Sequence, residues 1–225
     1  PLGPITAFPV SVAGEASQDK RRRIASQLAA AGVDLLAETQ PDNIAWLLNV
    51  RGSDVPRTPL PHSTLILDNQ GRVDWFVDRR KLPNALAGIE ADGLQIHDPQ
   101  AFAQDLQRRA AGRKVMIDPG FAPVAVRLAT VQGGGTPVVQ MSPITTAKAV
   151  KNAVELDGFR QTHLEDGVAL TEFLAWLDAE ALPRQAAGSP ITELEAQAAL
   201  LAFRQGGANF VDESFAPISA SGLNA

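Results

Sequence analysis

The residues best equipped for chemistry are few. The sequence carries three histidines, His62, His97 and His163, and no cysteine. Without Cys there is no disulfide, no zinc–thiolate site and no thiol nucleophile. No histidine stands at ligand spacing from another, so spacing alone outlines no metal centre. His163 and Asp166, at i and i+3 of a predicted helix, share one face. They either hydrogen-bond, contribute to a metal site or form an ordinary structural pair. His97, before Asp98-Pro99, reads as the end of a strand ahead of a helix. There is no Gly-x-Ser-x-Gly elbow, and Gly133-Gly134-Gly135 is not followed by the Gly-Lys-Ser/Thr of a phosphate loop. The clearest binding candidates lie together. Arg51, Asp54 and Arg57 stand in a segment from Arg51 to Pro61 that has prolines at 56, 59 and 61, and His62 closes it. A stiff loop of this kind beside an α/β sheet can clamp a charged ligand.

The elements that must position these residues alternate. A helix is expected from Ser17, its cap, to Gly32, with Ile24 and Leu28 inward and Lys20-Arg21-Arg22-Arg23 as a solvated cationic face. Val33–Ala37 reads as a buried strand, and Pro41-Asp42 opens a helix with Ile44, Leu47 and Leu48 inward, ending near Asn49. Thr64–Leu67 and Val73–Val77 flank Asp68-Asn69-Gln70-Gly71 as a hairpin. A helix over Asp78–Ala87 broken at Pro83, a strand at Leu94–His97, a helix over Pro99–Ala110 and strands at Lys114–Ile117 and Val138-Val139 complete this half. Alternation of this kind predicts an α/β domain with a mixed or parallel sheet. From Ala147 the pattern turns helical, with a break expected near Gly158 or Gly167, a Pro/Gly loop over Pro183–Pro190, and a capping box at Thr192 and Glu195.

Composition narrows the function classes. The 225 residues have 45% hydrophobic and 20% charged side chains, which are globular proportions. A net charge of −5 argues against a mainly electrostatic nucleic-acid binder. No stretch approaches the ~20 apolar residues of a membrane span, and no signal peptide opens the sequence. Pro1-Leu2-Gly3-Pro4 reads as a connector, and the uncharged run Phe215–Ala225 as an interrupted strand and turn, so both ends are expected to be cuts in a longer chain.

Three stretches carry a resemblance. Ile44-Ala45-Trp46-Leu47-Leu48-Asn49-Val50-Arg51-Gly52-Ser53-Asp54-Val55-Pro56 resembles the middle-domain signature of three-domain aminopeptidase P, the Xaa-Pro aminopeptidases of the creatinase/prolidase family. Lys148-Ala149-Val150-Lys151-Asn152 with Glu155, Gly158, Arg160, His163, Asp166-Gly167 and Ala169-Leu170 resembles the start of that family's catalytic domain. Thr192-Glu193 and Ser214–Ala225 come next in the family's order. The resemblance implies a creatinase/prolidase N-terminal-type α/β domain, a mixed sheet with flanking helices, over residues 1–146. It implies the truncated start of a pita-bread α+β domain over 147–225. The implied reaction is removal of an N-terminal residue that precedes proline, by a cytoplasmic, dimeric enzyme with two divalent metal ions, manganese in most relatives.

The family's two Asp, one His and two Glu ligands, and its His-Tyr, belong beyond Ala225. This fragment is therefore expected to hold no catalytic metal and to lack catalysis by itself. Its implied partners are a peptide with proline at the second position and, at full length, a second copy, with no nucleic acid or membrane. Arg51, Asp54, Arg57 and His62 are carried over only as a wall of the substrate pocket or a dimer contact. The alternative is a binding protein whose pita-bread domain has lost its ligands.

Overall fold

A computed structural model describes residues 1–83 and 93–225 and divides them into two compact units, Pro1–Glu155 and Leu156–Ala225. The first unit is a three-layer α/β structure. Its six-stranded sheet comprises β2 (Leu35–Glu38), β4 (Thr64–Asp68), β5 (Val73–Phe76), β6 (Leu94–His97), β7 (Lys114–Ile117) and β8 (Thr136–Val139) in the order β6-β5-β4-β2-β7-β8. Only β4 runs against its neighbours, pairing antiparallel with β2 and β5, while β2–β7, β7–β8 and β5–β6 are parallel. A separate two-stranded ribbon joins β1 (Ile5–Ala7) to β3 (Val50–Gly52).

Both faces of the sheet are covered, so its strands are apolar on both sides rather than alternating with polar residues. On one face Leu36, Leu65, Leu67, Trp75 and Met116 meet α2 (Ser17–Ala30), α3 (Pro41–Leu48) and α6 (Pro143–Ala149) through Ile24, Leu28, Ile44, Leu47 and Ile144. On the other, Leu35, Ala37, Ile66, Phe76, Val115 and Ile117 meet α4 (Phe102–Ala110) and α5 (Val124–Gln132) through Leu106, Ala110, Val126 and Ala129. Leu35 and Leu36 fall into different clusters because successive strand residues point to opposite faces. The short helix α1 (Val10–Ala13) precedes α2.

Several local expectations are corrected. Ser17 lies inside α2; the cap position is Ala16 and no side chain caps the helix. The cationic run is not a solvated face throughout, since Lys20 and Arg21 are buried. They share the helix stripe of Ile24, Ala25 and Leu28, three or four residues along, and the helical period carries them inward with it. Arg51 belongs to β3 rather than to a loop. Of the helix expected over 78–87, the described part is a single turn at Arg79–Lys81, capped by the Asp78 side chain; residues 84–87 lie outside the described residues. Helix α5 has no counterpart among the expected elements, its pattern obscured by Val124, Leu128 and Val131 on the exposed side.

The second unit is helical. It contains most of α7 (Ala153–Ala186) and α8 (Glu193–Gln205). The long helix passes through Gly158, Gly167 and even Pro183 without the expected break. Thr192 and Glu195 do form the capping box: the hydroxyl accepts from the Glu195 N–H at 3.2 Å and the carboxylate from the Thr192 N–H at 2.9 Å.

Candidate functional site

In open α/β sheets ligands bind beyond the carboxyl ends of the parallel strands. Here that place is filled by the chain itself. Glu38 ends β2, Asp118 succeeds β7, and Ser142 caps α6 after β8. The Ser142 hydroxyl donates to Glu38 at 2.7 Å and its N–H to Asp118 at 2.8 Å. The Thr39 and Gln40 N–H groups and the Asn43 amide also donate to Glu38. Burial pushes the Glu38 carboxyl above its usual range, and these donors offset only part of that effect.

The proline-braced segment is a built structure of a different kind. β1 lays Ile5, Thr6 and Ala7 against Gly52, Arg51 and Val50. Asp54 then turns inward. Its side chain is 0% exposed and accepts from the Gly3 N–H at 3.0 Å, the His62 N–H at 2.7 Å and the Lys81 ammonium at 2.6 Å. Burial alone would raise its pKa, but the hydrogen bonds from Lys81, His62 and Gly3 outweigh it and hold the carboxyl below its usual range. Inside this ring the Gly52 N–H donates to Pro59 O at 3.2 Å and the Thr58 N–H to Val55 O at 3.2 Å. Only glycine fits at position 52, where a Cβ would stand 2.6 Å from the Pro61 nitrogen.

The four residues singled out from the sequence therefore divide. Arg51 and Asp54 serve the interior. The Arg51 guanidinium lies 3.8 Å from the centroid of the Phe8 ring and donates to Val50 O at 2.9 Å. Burial pushes its pKa down, with Glu155 opposing. Arg57 and His62 are exposed, and Arg57 takes φ 59°, a left-handed conformation unusual for a residue with a side chain.

Sequence reading missed a second network. The Lys20 ammonium donates to Trp46 O at 3.0 Å and Asn49 Oδ1 at 2.7 Å, and lies 4.1 Å from the Trp46 ring centroid. The Trp46 indole N–H donates to Glu155 at 3.1 Å. Glu155 in turn accepts from the Asn152 N–H while the Asn152 side chain accepts from the Glu155 N–H, each at 2.9 Å. That reciprocal pair at the start of α7 is a capping box, and its Asn-x-x-Glu spacing was the available signal. Trp46, Arg23, Met116, Met141, Val150 and Lys151 line part of a cavity of about 790 Å³ in this unit.

In the second unit His163 and Asp166 do not pair. The imidazole Nδ1 is 2.8 Å from Phe159 O, and Asp166 binds Arg204 at 2.7 Å. Both line part of a cavity of about 680 Å³ with Phe203, Arg204, Glu213 and Phe215. His97 ends β6 ahead of a helical turn, as read from the sequence, with its Nε2 2.7 Å from Asp74. Among the described residues no group of three His, Asp or Glu side chains is placed to hold a metal ion.

A family model described as the creatinase/prolidase N-terminal domain matches residues 1–155. Two curated relatives, each named probable Xaa-Pro aminopeptidase P, match the whole chain at 35% identity. The one from Arthroderma gypseum aligns over 235 residues and 36% of its own length; the one from Arthroderma benhamiae aligns over 233 residues and 32%. The chain thus spans about a third of the length of these relatives. Among solved structures, the X-prolyl aminopeptidase of Caenorhabditis elegans superposes with a TM-score of 0.80 at 28% identity, over 94% of this chain and 34% of that one. That protein is described as a cytosolic enzyme with a di-nuclear active site. The Xaa-Pro dipeptidase of Bacillus anthracis shares the fold, with a TM-score of 0.61 at 12% identity over 84% of this chain and 49% of its own.

Proposed function

The chain belongs to the creatinase/prolidase N-terminal domain family, and we propose that it works as the substrate-handling front of a metal-dependent Xaa-Pro aminopeptidase. The observation carrying this reading is the match of the whole chain to relatives named Xaa-Pro aminopeptidase P, together with the exposed, prebuilt Arg57 loop. In this reading α7 and α8 open a pita-bread catalytic domain, and the complete enzyme is a cytoplasmic homodimer that removes the residue preceding proline. Two divalent ions, manganese by family habit, would supply a hydroxide nucleophile and polarise the scissile carbonyl. In this reading the part this chain plays is substrate binding, through the segment that carries Arg57 and His62.

Proline sets the recognition problem. Its tertiary amide has no N–H to donate, so ring shape and the charged or carbonyl groups around it must be read instead. An exposed guanidinium held on a stiff loop suits carboxylate and carbonyl acceptors and loses little freedom on binding. In the full-length enzyme Arg57→Ala should lower kcat/KM on Xaa-Pro peptides about ten- to hundredfold, equivalent to ~1.5–3 kcal/mol, with metal content unchanged. Steady-state kinetics with manganese, alongside metal analysis, tests this. Wild-type rates would reduce Arg57 to a surface residue, and loss of metal would make the loop a support of the catalytic domain.

A further inference from the structure

Arg57 sits at φ 59° in an exposed loop, a conformation that a side chain with a Cβ resists. The other non-glycine residue at positive φ among the described residues, Asn49, closes helix α3, where asparagine is tolerated and its amide is hydrogen-bonded. Arg57 is the third residue of the turn Val55-Pro56-Arg57-Thr58, closed by the Thr58 N–H on Val55 O at 3.2 Å, a position that takes positive φ and favours glycine or asparagine. Strain of this kind persists only where the surroundings over-determine the backbone, and it concentrates at functional positions.

Asp54 braces the segment that carries this turn. Its buried carboxylate ties three distant pieces of chain at Gly3, His62 and Lys81. A carboxylate out of water is costly unless it is paired and hydrogen-bonded, so the ring of donors closes as a whole. Residues 55–61 lie between Asp54 and its anchor His62, and Gly52 packs against Pro61 at their base.

We infer that Asp54 is a positioning residue, holding residues 53–62 in one shape so that Arg57 and His62 meet a peptide substrate already in place. The inference rests on the proposed peptidase reading and makes a separate claim. Asp54 touches no substrate; it removes the ordering cost that a free loop would charge to binding.

The test combines two readouts in the full-length protein. Asp54→Asn keeps the side-chain shape but removes the charge facing Lys81 and replaces one of the two accepting oxygens with an NH2 that cannot accept. Tryptic cleavage after Arg57 should accelerate about tenfold or more, and KM for Xaa-Pro peptides should rise about tenfold with kcat within about twofold. Lys81→Met, which leaves the two backbone donors in place, should shift both readouts in the same direction by less. An opened loop with unchanged KM overturns the inference, as does a folded Asp54→Asn whose loop is cleaved no faster than wild type. Loss of the fold in both variants, read from thermal melts, would make the pair a stability element and also overturn it. Wild-type enzyme inactive on Xaa-Pro peptides would instead overturn the peptidase reading, and with it this inference.

Discussion

Lys20 is 1% exposed, yet its ammonium is fully employed at the carboxyl end of α3, where it meets the Trp46 carbonyl, the Asn49 amide oxygen and the Trp46 ring face. A cation there complements the negative end of the helix. Burial lowers its pKa to about 8; Glu155 and Glu15 oppose the shift, and Arg51 and Arg23 add to it. The folded state therefore binds fewer protons than the unfolded chain between pH 8 and about 10.5, and stability attributable to Lys20 rises with pH across that window. Lys20→Met should cost about 1–3 kcal/mol at pH 7 by stranding the buried acceptors. The gap between wild type and variant should widen from pH 8 to about pH 10, by ~3 kcal/mol at the most. Urea melts at several pH values measure it; a gap independent of pH would show that the amine titrates as it does in water.

At the scale of elements, α7 shows how a strong start outweighs weak positions within. The reciprocal Asn152–Glu155 cap satisfies first-turn donors. Downstream, Gly158 and Gly167 leave open space where a Cβ would stand, so no packing requires glycine there. Gly158→Ala and Gly167→Ala should each stabilise the helix by about 1 kcal/mol, visible as raised helicity in thermal circular dichroism. A destabilised variant would reveal a close approach at that face. Pro183 falls in the last turn of the helix, which ends at Ala186; its missing N–H takes one bond from the ladder, the one to the Ala179 carbonyl, with only three residues of helix after it.

For the whole molecule, burial is unevenly shared. Among the described residues, every buried hydrophobic side chain except Ala169 lies in Pro1–Glu155. The second unit keeps Phe159, Leu164, Leu174, Phe215 and Ile218 exposed. A core on both faces of a six-stranded sheet is enough for an independent domain. Residues 1–155 alone should therefore unfold cooperatively, with a melting temperature close to that of the main transition of the full chain. Calorimetry decides this. A broad transition without a heat-absorption peak would mean that the first unit needs the second to fold.

The sequence by itself determined the alternating elements, the 64–76 hairpin, the capping box of α8 and the family resemblance. The first three are written in periodicity or spacing within a few residues, where local sterics and hydrogen bonds decide the outcome, while the resemblance rests on three motifs in order along the chain. The burial of Lys20 and Arg21 was misread: they share the stripe of Ile24 and Leu28, but their charge suggested a solvated face. The roles of Arg51, Asp54, Arg57 and His62 were not legible. Their types suggested a common clamp, yet two turn inward and two outward. What separates them is a ring of donors from residues 51, 8 and 27 positions away, together with a ribbon pairing β1 to β3. Only the tertiary structure decided that, because a buried carboxylate takes its partners from whichever segments the topology brings within about 3 Å of it, and no local pattern records which those are.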